Sequence, residues 1–338
     1  MKWSTLWLGG LLAGLPVGAA DWRPVEVPTA ATLTGLAVVD RAVIWASGRS
    51  GTILRSVDGG ASWTAHLVVG AEQLDFRDIE AFDGQTAYAL SIGPGEASRI
   101  YRTDDGGETW GLQFQNRDER AFYDALAFWD REHGLAMGDP IDGAYQLLAT
   151  DDGGATWTPR SQASLPRAKD GEAAFAASGT CLITQGERTA FLITGGSDAR
   201  VYRSDDRGAT WTVADTPLPR GTGGSGIFSI AMRTADAGVI VGGNYEKPDE
   251  ATGNLAFTQD GGRTWTAGGG LHGYRSAVTY VDAQTLVAVG INGSDLSTDG
   301  GGHWQRLDHT NYKNVQSRGP AATWAVGSDG VVAKLELP

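Results

Sequence analysis

Residues 103–110 read TDDGGETW, and five variants of this octapeptide recur along the chain. They share the pattern Ser/Thr-x-Asp-x-Gly-x-x-Trp, and their tryptophans follow one another at intervals of 39 to 54 residues. The six copies place their aspartate and tryptophan at Asp58 and Trp63, Asp105 and Trp110, Asp152 and Trp157, Asp206 and Trp211, Asp260 and Trp265, and Asp299 and Trp304. A four-point pattern that recurs six times at near-regular spacing indicates a chain built from structural repeats.

The chemistry of the octapeptide is that of a tight turn. Its aspartate can accept backbone N–H groups across its own turn, and its glycines tolerate the positive φ that tight hairpin turns require. Its Ser or Thr offers a second local hydrogen bond, and its tryptophan can bury a large surface against the adjoining strand. Each copy is therefore predicted to close a β-hairpin and to fix it to the core.

A calcium loop is the alternative interpretation of these aspartates. The run Thr-Asp-Asp-Gly-Gly resembles the start of such a loop, but it is short and no bidentate glutamate follows at its end. We therefore expect the octapeptides to be structural, and we predict no metal site.

The segments between the octapeptides also repeat. A first strand-like run is predicted at residues 33–38, 77–82, 123–128, 228–232 and 275–280, and a second run that ends in Gly at residues 43–48, 86–93, 134–138, 191–195, 239–242 and 286–290. A third run enters each octapeptide and a fourth leaves its tryptophan. Four short strands in a unit of about 40–50 residues are typical of a β-propeller blade.

The number of blades follows from the two ends of the repeat array. Residues 322–327 and 331–334 match the second and third strands of the first unit, but no octapeptide follows them. The missing fourth strand is found at residues 22–27, with Trp22 in the position of the octapeptide tryptophan. The prediction is an all-β, seven-bladed propeller in which residues 22–27 pair with the C-terminal strands, a closure that hides sheet edges.

Residues 1–20 have the pattern of a secretory signal peptide. Lys2 precedes an apolar stretch at residues 6–15, and small residues follow it before Asp21. An uncleaved anchor is the alternative, but the apolar stretch is too short to span about 30 Å of hydrocarbon. The expectation is an exported protein, periplasmic or secreted, with no membrane span after cleavage and one propeller domain over residues 21–338.

Composition excludes several classes of protein. Forty acidic and 27 basic residues give a net charge of −13, so no positive field is available for nucleic-acid binding. With 41% hydrophobic residues the chain is not a disordered acidic one. The single cysteine, Cys181, allows neither an intrachain disulfide nor a cysteine-based zinc site. We expect a monomer.

The octapeptides resemble the Asp-boxes, or BNR repeats, of sialidases, secreted glycosidases and sortilin-type receptors. With phrases such as Gly48-x-x-Gly51-Thr-Ile-Leu-Arg-Ser and Trp324-Ala-Val-Gly, the chain resembles the photosystem II stability/assembly factor propellers and their exported bacterial relatives in non-photosynthetic organisms. The resemblance implies a non-enzymatic binding module. In the photosynthetic family the implied role is that of a lumenal or periplasmic chaperone, which binds a reaction-centre subunit through an Arg-rich face.

Motifs of other enzyme classes are absent or incomplete. The sequence contains no Arg-Ile-Pro segment, which a sialidase would need. Residues 221–226 fit G-x-G-x-x-G, but the sequence Pro-Leu-Pro-Arg precedes them and a strand-like run follows, so no dinucleotide site is expected. No cofactor is predicted.

Polar residues at the start of the innermost strands form the candidate site, because these positions of a propeller point toward its central channel. The candidates are Arg77, Asp78, Tyr123, Asp124, Ser229, Arg275 and Ser276, with Glu172 on a longer loop that could cover the channel mouth. Converging carboxylates and arginines could bind a polar ligand. The alternative is that they are strand-end groups bonded to water and neighbouring blades. The ligand hypothesis expects Asp78→Ala and Arg275→Ala to abolish binding without loss of folding.

Two functions remain open from the sequence. The favoured one is a binding or assembly module whose channel face holds a protein partner or a glycan, since no complete catalytic set is visible. The alternative is a glycoside hydrolase-like enzyme that uses Asp78, Asp124 and Glu172. Such an enzyme needs two carboxyl groups about 5–10 Å apart across an open cleft.

Overall fold

The computed structural model describes residues 19–161 and 163–338. Residues 1–18, which hold most of the expected signal peptide, lie outside the described residues, so that expectation stays untested. Two short 3-10 helices, Gly95–Ala97 and Ser328–Gly330, accompany an otherwise all-β structure.

The strands in chain order are β1 (Asp21–Val25), β2 (Leu33–Val38), β3 (Ile44–Gly48), β4 (Thr52–Ser56), β5 (Thr64–Leu67), β6 (Asp75–Ala81), β7 (Ala87–Ile92), β8 (Arg99–Thr103), β9 (Gly111–Gln115), β10 (Tyr123–Phe128), β11 (Gly134–Ile141), β12 (Ala144–Thr150), β13 (Thr158–Pro159), β14 (Glu172–Ala173), β15 (Leu182–Gln185), β16 (Thr189–Ile193), β17 (Gly195–Gly196), β18 (Arg200–Ser204), β19 (Thr212–Asp215), β20 (Ser225–Met232), β21 (Gly238–Asn244), β22 (Leu255–Thr258), β23 (Thr266–Ala267), β24 (Ala277–Tyr280), β25 (Leu286–Gly290), β26 (Gly293–Ser297), β27 (Gln305–Asp308), β28 (Tyr312–Ser317), β29 (Thr323–Gly327) and β30 (Val332–Glu336).

These strands form the seven blades of a β-propeller. Blades 1, 2, 3 and 6 each use four consecutive strands, which are β2–β5, β6–β9, β10–β13 and β24–β27. Blade 4 consists of β15, β16, β18 and β19, and blade 5 of β20–β23 with β17 and β14 added at its inner edge. Blade 7 consists of β28, β29, β30 and β1. Each innermost strand contacts that of the next blade, and β28 contacts β2, so the ring is closed.

The hydrophobic core lies between neighbouring blades. Strands β2, β3, β10 and β29 are buried along their whole length, whereas the outer strands β5 and β19 are mostly exposed. Trp45 of blade 1 packs with Phe76 and Ile79 of blade 2. Leu36 of blade 1 packs with Trp324 of blade 7. Each sheet therefore buries both faces against its neighbours, as layered packing requires.

The closing blade joins the two ends of the described chain. Strand β1 pairs antiparallel with β30, so that Trp22 lies opposite Leu335. The Trp22 side chain is buried, and its Nε1 donates to Ser294 Oγ at 2.9 Å. Its ring lies 5.2 Å from that of Tyr312. The strand expected at residues 22–27 is thus present at 21–25.

The octapeptide turns are held by their own side chains. In the second copy, Thr103 Oγ1 donates to Asp105 Oδ1 at 2.8 Å, and the Gly107 N–H, at a φ of 90°, donates to Thr103 Oγ1 at 2.9 Å. The Thr109 N–H and hydroxyl donate to the two oxygens of Asp105 at 2.9 and 2.6 Å. The same backbone contacts recur at Asp58, Asp152, Asp206, Asp260 and Asp299.

One segment of the fourth unit leaves the blade pattern and lies inside the ring. We call residues 174–181, which precede β15, the channel segment. Its contacts with the inner strands of four other blades are Arg77 Nη1 to Ala176 O at 3.0 Å, Ser178 Oγ to Ser276 O at 3.0 Å, Asn314 Nδ2 to Ser178 O at 2.7 Å and Thr180 Oγ1 to Ser229 Oγ at 2.7 Å. The segment divides the central channel into two cavities.

Candidate functional site

The larger cavity lies on one side of the channel segment, at the end of the ring where the inner strands begin. We call it the main cavity. It has a volume of about 510 Å³. Its charged and aromatic lining residues are Arg49, Arg77, Lys313, Asp124, Asp139, Phe122, Phe175, Phe228, Tyr245 and Tyr274. Arg49 and Tyr245 are exposed, so the cavity opens to solvent at its rim.

Three cations lie together on the side of the main cavity formed by blades 7, 1 and 2. Arg77 Nε donates to Asp75 Oδ2 at 2.9 Å, and Arg49 Nε lies 3.5 Å from the same oxygen. Lys313 makes no ion pair among the described residues, and burial together with Arg77 and Arg49 lowers its pKa. Two of the three positive groups thus share one carboxylate, and the third has no ion-pair partner among the described residues. This arrangement suits an anionic group of a ligand.

Two carboxyl groups line the main cavity from blade 3, the neighbour of the blade that carries Arg77, and they lie on adjacent strands of that blade. Asp124 is 1% exposed, and its Oδ2 has no hydrogen-bond partner among the described residues. Asp139 is half-buried, and its Oδ1 accepts the Ala174 N–H at 2.9 Å. Burial and then Asp139 raise the pKa of Asp124 well above its ordinary value, and burial raises that of Asp139. The pair is therefore stabilised either by a proton or by a cationic ligand group that donates hydrogen bonds to it.

An aromatic wall completes the main cavity on the side of blades 5 and 6. Phe175 of the channel segment stacks on Phe228, with ring centroids 4.0 Å apart and an angle of 8° between the planes. Tyr245 meets both rings edge-on, and Tyr274 meets Phe228 edge-on at 4.7 Å. Such a wall offers apolar contact with fixed geometry.

The structure brings three of the eight sequence-predicted residues to the main cavity. Arg77, Asp124 and Ser276 line it, and Ser276 Oγ also donates to Lys313 O at 2.9 Å. Asp78 lies on the other side of the channel segment, where its Oδ2 accepts the Leu126 N–H at 2.8 Å.

The other four predicted residues line neither cavity and make structural contacts instead, which corrects their assignment to a ligand site. Arg275 is fully buried, and its Nε donates to Asp295 Oδ2 at 2.8 Å. Tyr123 packs edge-on against Phe114 at 5.4 Å, and its burial raises its pKa to about 12. Ser229 Oγ accepts a hydrogen bond from Thr180 Oγ1 and another from the backbone of blade 6.

Glu172 is the remaining correction, because it does not cover the channel mouth. It is 2% exposed in β14 and forms an ion pair with Arg200. Its Oε1 also accepts the Thr194 hydroxyl at 2.6 Å, and its Oε2 accepts the Lys169 N–H at 2.9 Å. Partners of this kind offset the cost of burying a carboxyl group.

This placement removes the geometry that a glycoside hydrolase would use. Asp78 and Asp124 lie on opposite sides of the channel segment, and Glu172 is held by Arg200. Asp124 and Asp139 belong to one blade and so do not face each other across a cleft. The three carboxylates therefore do not support the hydrolase alternative.

The second cavity, on the far side of the channel segment, has a volume of about 330 Å³. Asp78 and Glu80 of β6 both line it. Burial raises the pKa of Asp78 to about 7, and burial together with Asp78 raises that of Glu80 to about 8. Arg318 lowers the pKa of Glu80 by a smaller amount. The pair therefore retains a proton near neutral pH.

Most of the charged and aromatic residues of the main cavity were missed by the sequence analysis, among them Arg49 and the three residues described next. Lys313 lies in the inner strand of blade 7, Asp139 in the second strand of blade 3, and Tyr245 after the second strand of blade 5. The register shift between Gly138 and Pro140 places Asp139 at the cavity, and the Gly-Asp-Pro run was its only sequence signal.

The described residues hold no metal-binding cluster and no membrane-spanning helix. No group of three His, Cys, Asp or Glu side chains in residues 19–161 and 163–338 is arranged to hold a metal ion. Within the same residues, no helix has the length and apolar character needed to cross a membrane.

Comparisons with known proteins agree with the propeller fold and the resemblance. Residues 17–117 match the family described as Photosynthesis system II assembly factor YCF48. The structure described as "YCF48 bound to D1 peptide" is 16% identical over 95% of this chain and 99% of that chain, with a TM-score of 0.69. YCF48 from Cyanidioschyzon merolae is 17% identical over 94% of this chain and 99% of that chain, also with a TM-score of 0.69.

The fold is shared more widely than this family. The RRP9 WD40 repeats are 13% identical over 95% of this chain and 100% of that chain, with a TM-score of 0.64. Comparison with curated proteins gives no match. The chain thus resembles the photosystem II assembly factor propellers, and similarities at these identities show the fold rather than the function.

Proposed function

We propose that this propeller is a non-enzymatic, protein-binding assembly module that holds a segment of a partner polypeptide in its main cavity. The observation that carries the proposal is the composition of that cavity. Arg49 and Arg77 share the single carboxylate of Asp75, Lys313 has no ion-pair partner among the described residues, and aromatic rings line the same cavity. A polypeptide segment offers both an acidic group for the cations and an apolar side chain for the rings.

The comparisons support the same class of partner. One of the structures that this chain resembles in fold is described as bound to a peptide. A sequence match to that family covers residues 17–117, a range that contains Arg49, Asp75 and Arg77. Peptide binding at the end of the ring where these residues lie is therefore the function that we infer for this chain.

We infer that the protein works after export, in the periplasm or outside the cell, as the pattern of residues 1–20 suggests. N-terminal sequencing of the protein purified from its native host tests this inference. A mature chain that begins at Asp21 supports export, and one that begins at Met1 contradicts it.

Selection from a displayed library of random short peptides tests the binding proposal. The wild-type protein is expected to enrich peptides that combine an acidic residue with an aromatic or aliphatic one. Lys313→Gln is expected to weaken binding of a selected peptide about tenfold, because a charge-assisted contact is lost. Arg23→Gln is the matched control, since Arg23 is exposed on β1 and does not line the cavity.

The proposal fails if the wild-type protein enriches no peptide. It also fails if Lys313→Gln binds the selected peptides as tightly as Arg23→Gln does. Thermal unfolding of both variants shows whether each remains folded.

A further inference from the structure

We propose that Asp124 and Asp139 form a subsite for a basic side chain, so that the main cavity recognises a polypeptide segment carrying both an acidic and a basic residue. This inference rests on the proposed function and adds the chemistry of the partner. It concerns the part of the cavity that blade 3 lines.

The first argument is the absence of a countercharge within the described chain. Two other buried carboxylates have one: Glu172 pairs with Arg200, and Asp295 pairs with Arg275. The buried Asp78 forms no ion pair in the part of the chain that the structure describes, but its Oδ2 accepts the Leu126 N–H. Asp124 and Asp139 form no ion pair with any described residue. Placing two carboxyl groups together without a cation is unfavourable unless a proton or a ligand compensates them.

The second argument is that, among the described residues, no cation of the cavity forms an ion pair with Asp124 or Asp139. Arg77 is held by Asp75 and by the carbonyl of Ala176. Arg49 also faces Asp75, and Lys313 lies on blade 7 rather than beside blade 3. The cavity therefore keeps a positive side and an acidic side, which a ligand can contact separately.

The third argument is the free oxygen of Asp124. Its side chain is 1% exposed and lines the cavity, yet Oδ2 has no partner among the described residues. Asp139 uses Oδ1 for the Ala174 N–H and keeps its other oxygen available. An ammonium or guanidinium group placed here would donate to both carboxylates and supply the missing charge.

A basic side chain suits this subsite better than a metal ion does. Hard cations such as Ca²⁺ take six to eight oxygen ligands in proteins. The described residues offer these two carboxyl groups and no third acidic or histidine ligand near them. A lysine or arginine needs only the hydrogen-bond acceptors that are present.

The test is the residue composition of peptides selected by three forms of the protein from one displayed library of random short peptides. The wild-type protein is expected to enrich peptides that contain an acidic residue and also Lys or Arg. Asp139→Asn is expected to retain the enrichment of acidic residues and to lose that of Lys and Arg. Lys313→Gln is expected to show the reverse.

A synthetic version of one selected peptide makes the test quantitative. Replacing its basic residue with Gln is expected to weaken binding to the wild-type protein about tenfold and to Asp139→Asn by less than about twofold. Asn is isosteric with Asp and keeps an acceptor for the Ala174 N–H, so the fold is expected to survive. Asp124→Asn is the second variant and should behave in the same way.

The possible failures separate the two proposals. Selection of acidic peptides without Lys or Arg overturns this inference and leaves the proposed function standing. Replacing the basic residue of the peptide could also weaken binding equally in the wild-type protein and in both Asn variants. That result overturns the inference, because the carboxyl pair would then not be the partner of the basic residue. Failure to enrich any peptide overturns both proposals.

Discussion

Arg275 and Lys313 both lie close to the start of an inner strand, yet their side chains have different surroundings. Arg275 is fully buried beside Asp295, whereas Lys313 lines the main cavity and has no carboxylate partner among the described residues. Successive side chains of an inner strand point alternately toward the channel and toward a neighbouring blade. The position of a basic residue along the strand therefore determines whether it is buried as a structural group or lines the cavity, where a ligand can reach it.

Removal of the buried guanidinium is expected to destabilise the fold. Arg275→Met removes the guanidinium partner of the buried Asp295 carboxylate and leaves it only its contacts with His272, which costs about 3–5 kcal/mol of unfolding free energy. Urea denaturation measures the loss. In the control, Arg23→Gln removes an exposed pair with Glu336, and a change within about 1 kcal/mol is expected. A similar small change for Arg275→Met would show that the pair is not structural.

The Asp78–Glu80 pair is expected to make stability depend on pH. Its pKa values of about 7 and about 8 lie above the ordinary values near 4, so the folded state binds more protons between about pH 4 and 8. The corresponding stabilisation is complete below pH 4 and is lost as the pH rises through 7 and 8. Glu80→Gln removes the ionisation of one partner. At pH 8 its free energy of unfolding is expected to exceed that of the wild-type protein by about 1–3 kcal/mol.

Urea denaturation at pH 5 and pH 8 checks this expectation. At pH 5 the two proteins should differ by less than about 1 kcal/mol, because Glu80 is then already protonated. Glu26→Gln is the control, since Glu26 is exposed. If Glu80→Gln raises the free energy of unfolding by the same amount at both pH values, titration of this pair is not the cause of the increase.

At the scale of the element, the hairpins could be predicted from the sequence and the channel segment could not. The octapeptide supplies its own hydrogen-bond partners within seven residues, as Thr103, Asp105 and Thr109 show. The channel segment instead depends on distant groups, such as the carbonyl of Ser276 and the amide of Asn314. Local chemistry is visible in a sequence, whereas partners in other blades are not.

The channel segment depends on a glycine at its narrowest contact. Gly179 has a φ of 75°, and a Cβ there would lie within 2.5 Å of Asp78 Cγ. The Asp78 side chain is itself fixed by the Leu126 N–H. Gly179→Ala is therefore expected to lower the free energy of unfolding by about 2–4 kcal/mol, because the positive φ and the overlap both destabilise the folded state.

Thermal or urea unfolding of a matched pair of variants measures this cost. Gly186 also has a positive φ, of 58°, but nothing lies within 4 Å of a Cβ placed on it. Gly186→Ala thus reports the backbone contribution alone, about 1–2 kcal/mol. Equal losses in the two variants would show that the contact with Asp78 is not tight.

At the scale of the whole molecule, the blade count could be predicted more completely than the binding site. Six octapeptides and the strand at Trp22 were enough to indicate seven blades. Of the predicted site residues, Arg77, Asp124 and Ser276 line the main cavity. The aromatic wall could not be predicted, because its rings come from blade 5, from the channel segment and from the loop before blade 6, and only the folded ring brings them together.

Closure of the ring is expected to depend on Trp22. This side chain is buried between blades 6 and 7, where it contacts Ser294 and Tyr312. Trp22→Ala is expected to lower the free energy of unfolding by about 3–5 kcal/mol, measured by urea denaturation. Leu67→Ala, at an exposed position on β5, is the control and should change it by less than about 0.5 kcal/mol. A small effect of Trp22→Ala would contradict a closing role for β1.

The pairing of Asp21 with Glu336 also sets the order of events in folding. The strand of residues 21–25 is synthesised first and its partner at residues 332–336 last. The strands of all the other blades are therefore synthesised before these two can pair. During that interval the nascent protein is an open arc with unpaired strand edges, which are prone to join other chains. A chain that ends before residue 332 would lack the strand that pairs with residues 21–25, so its ring of blades could not close.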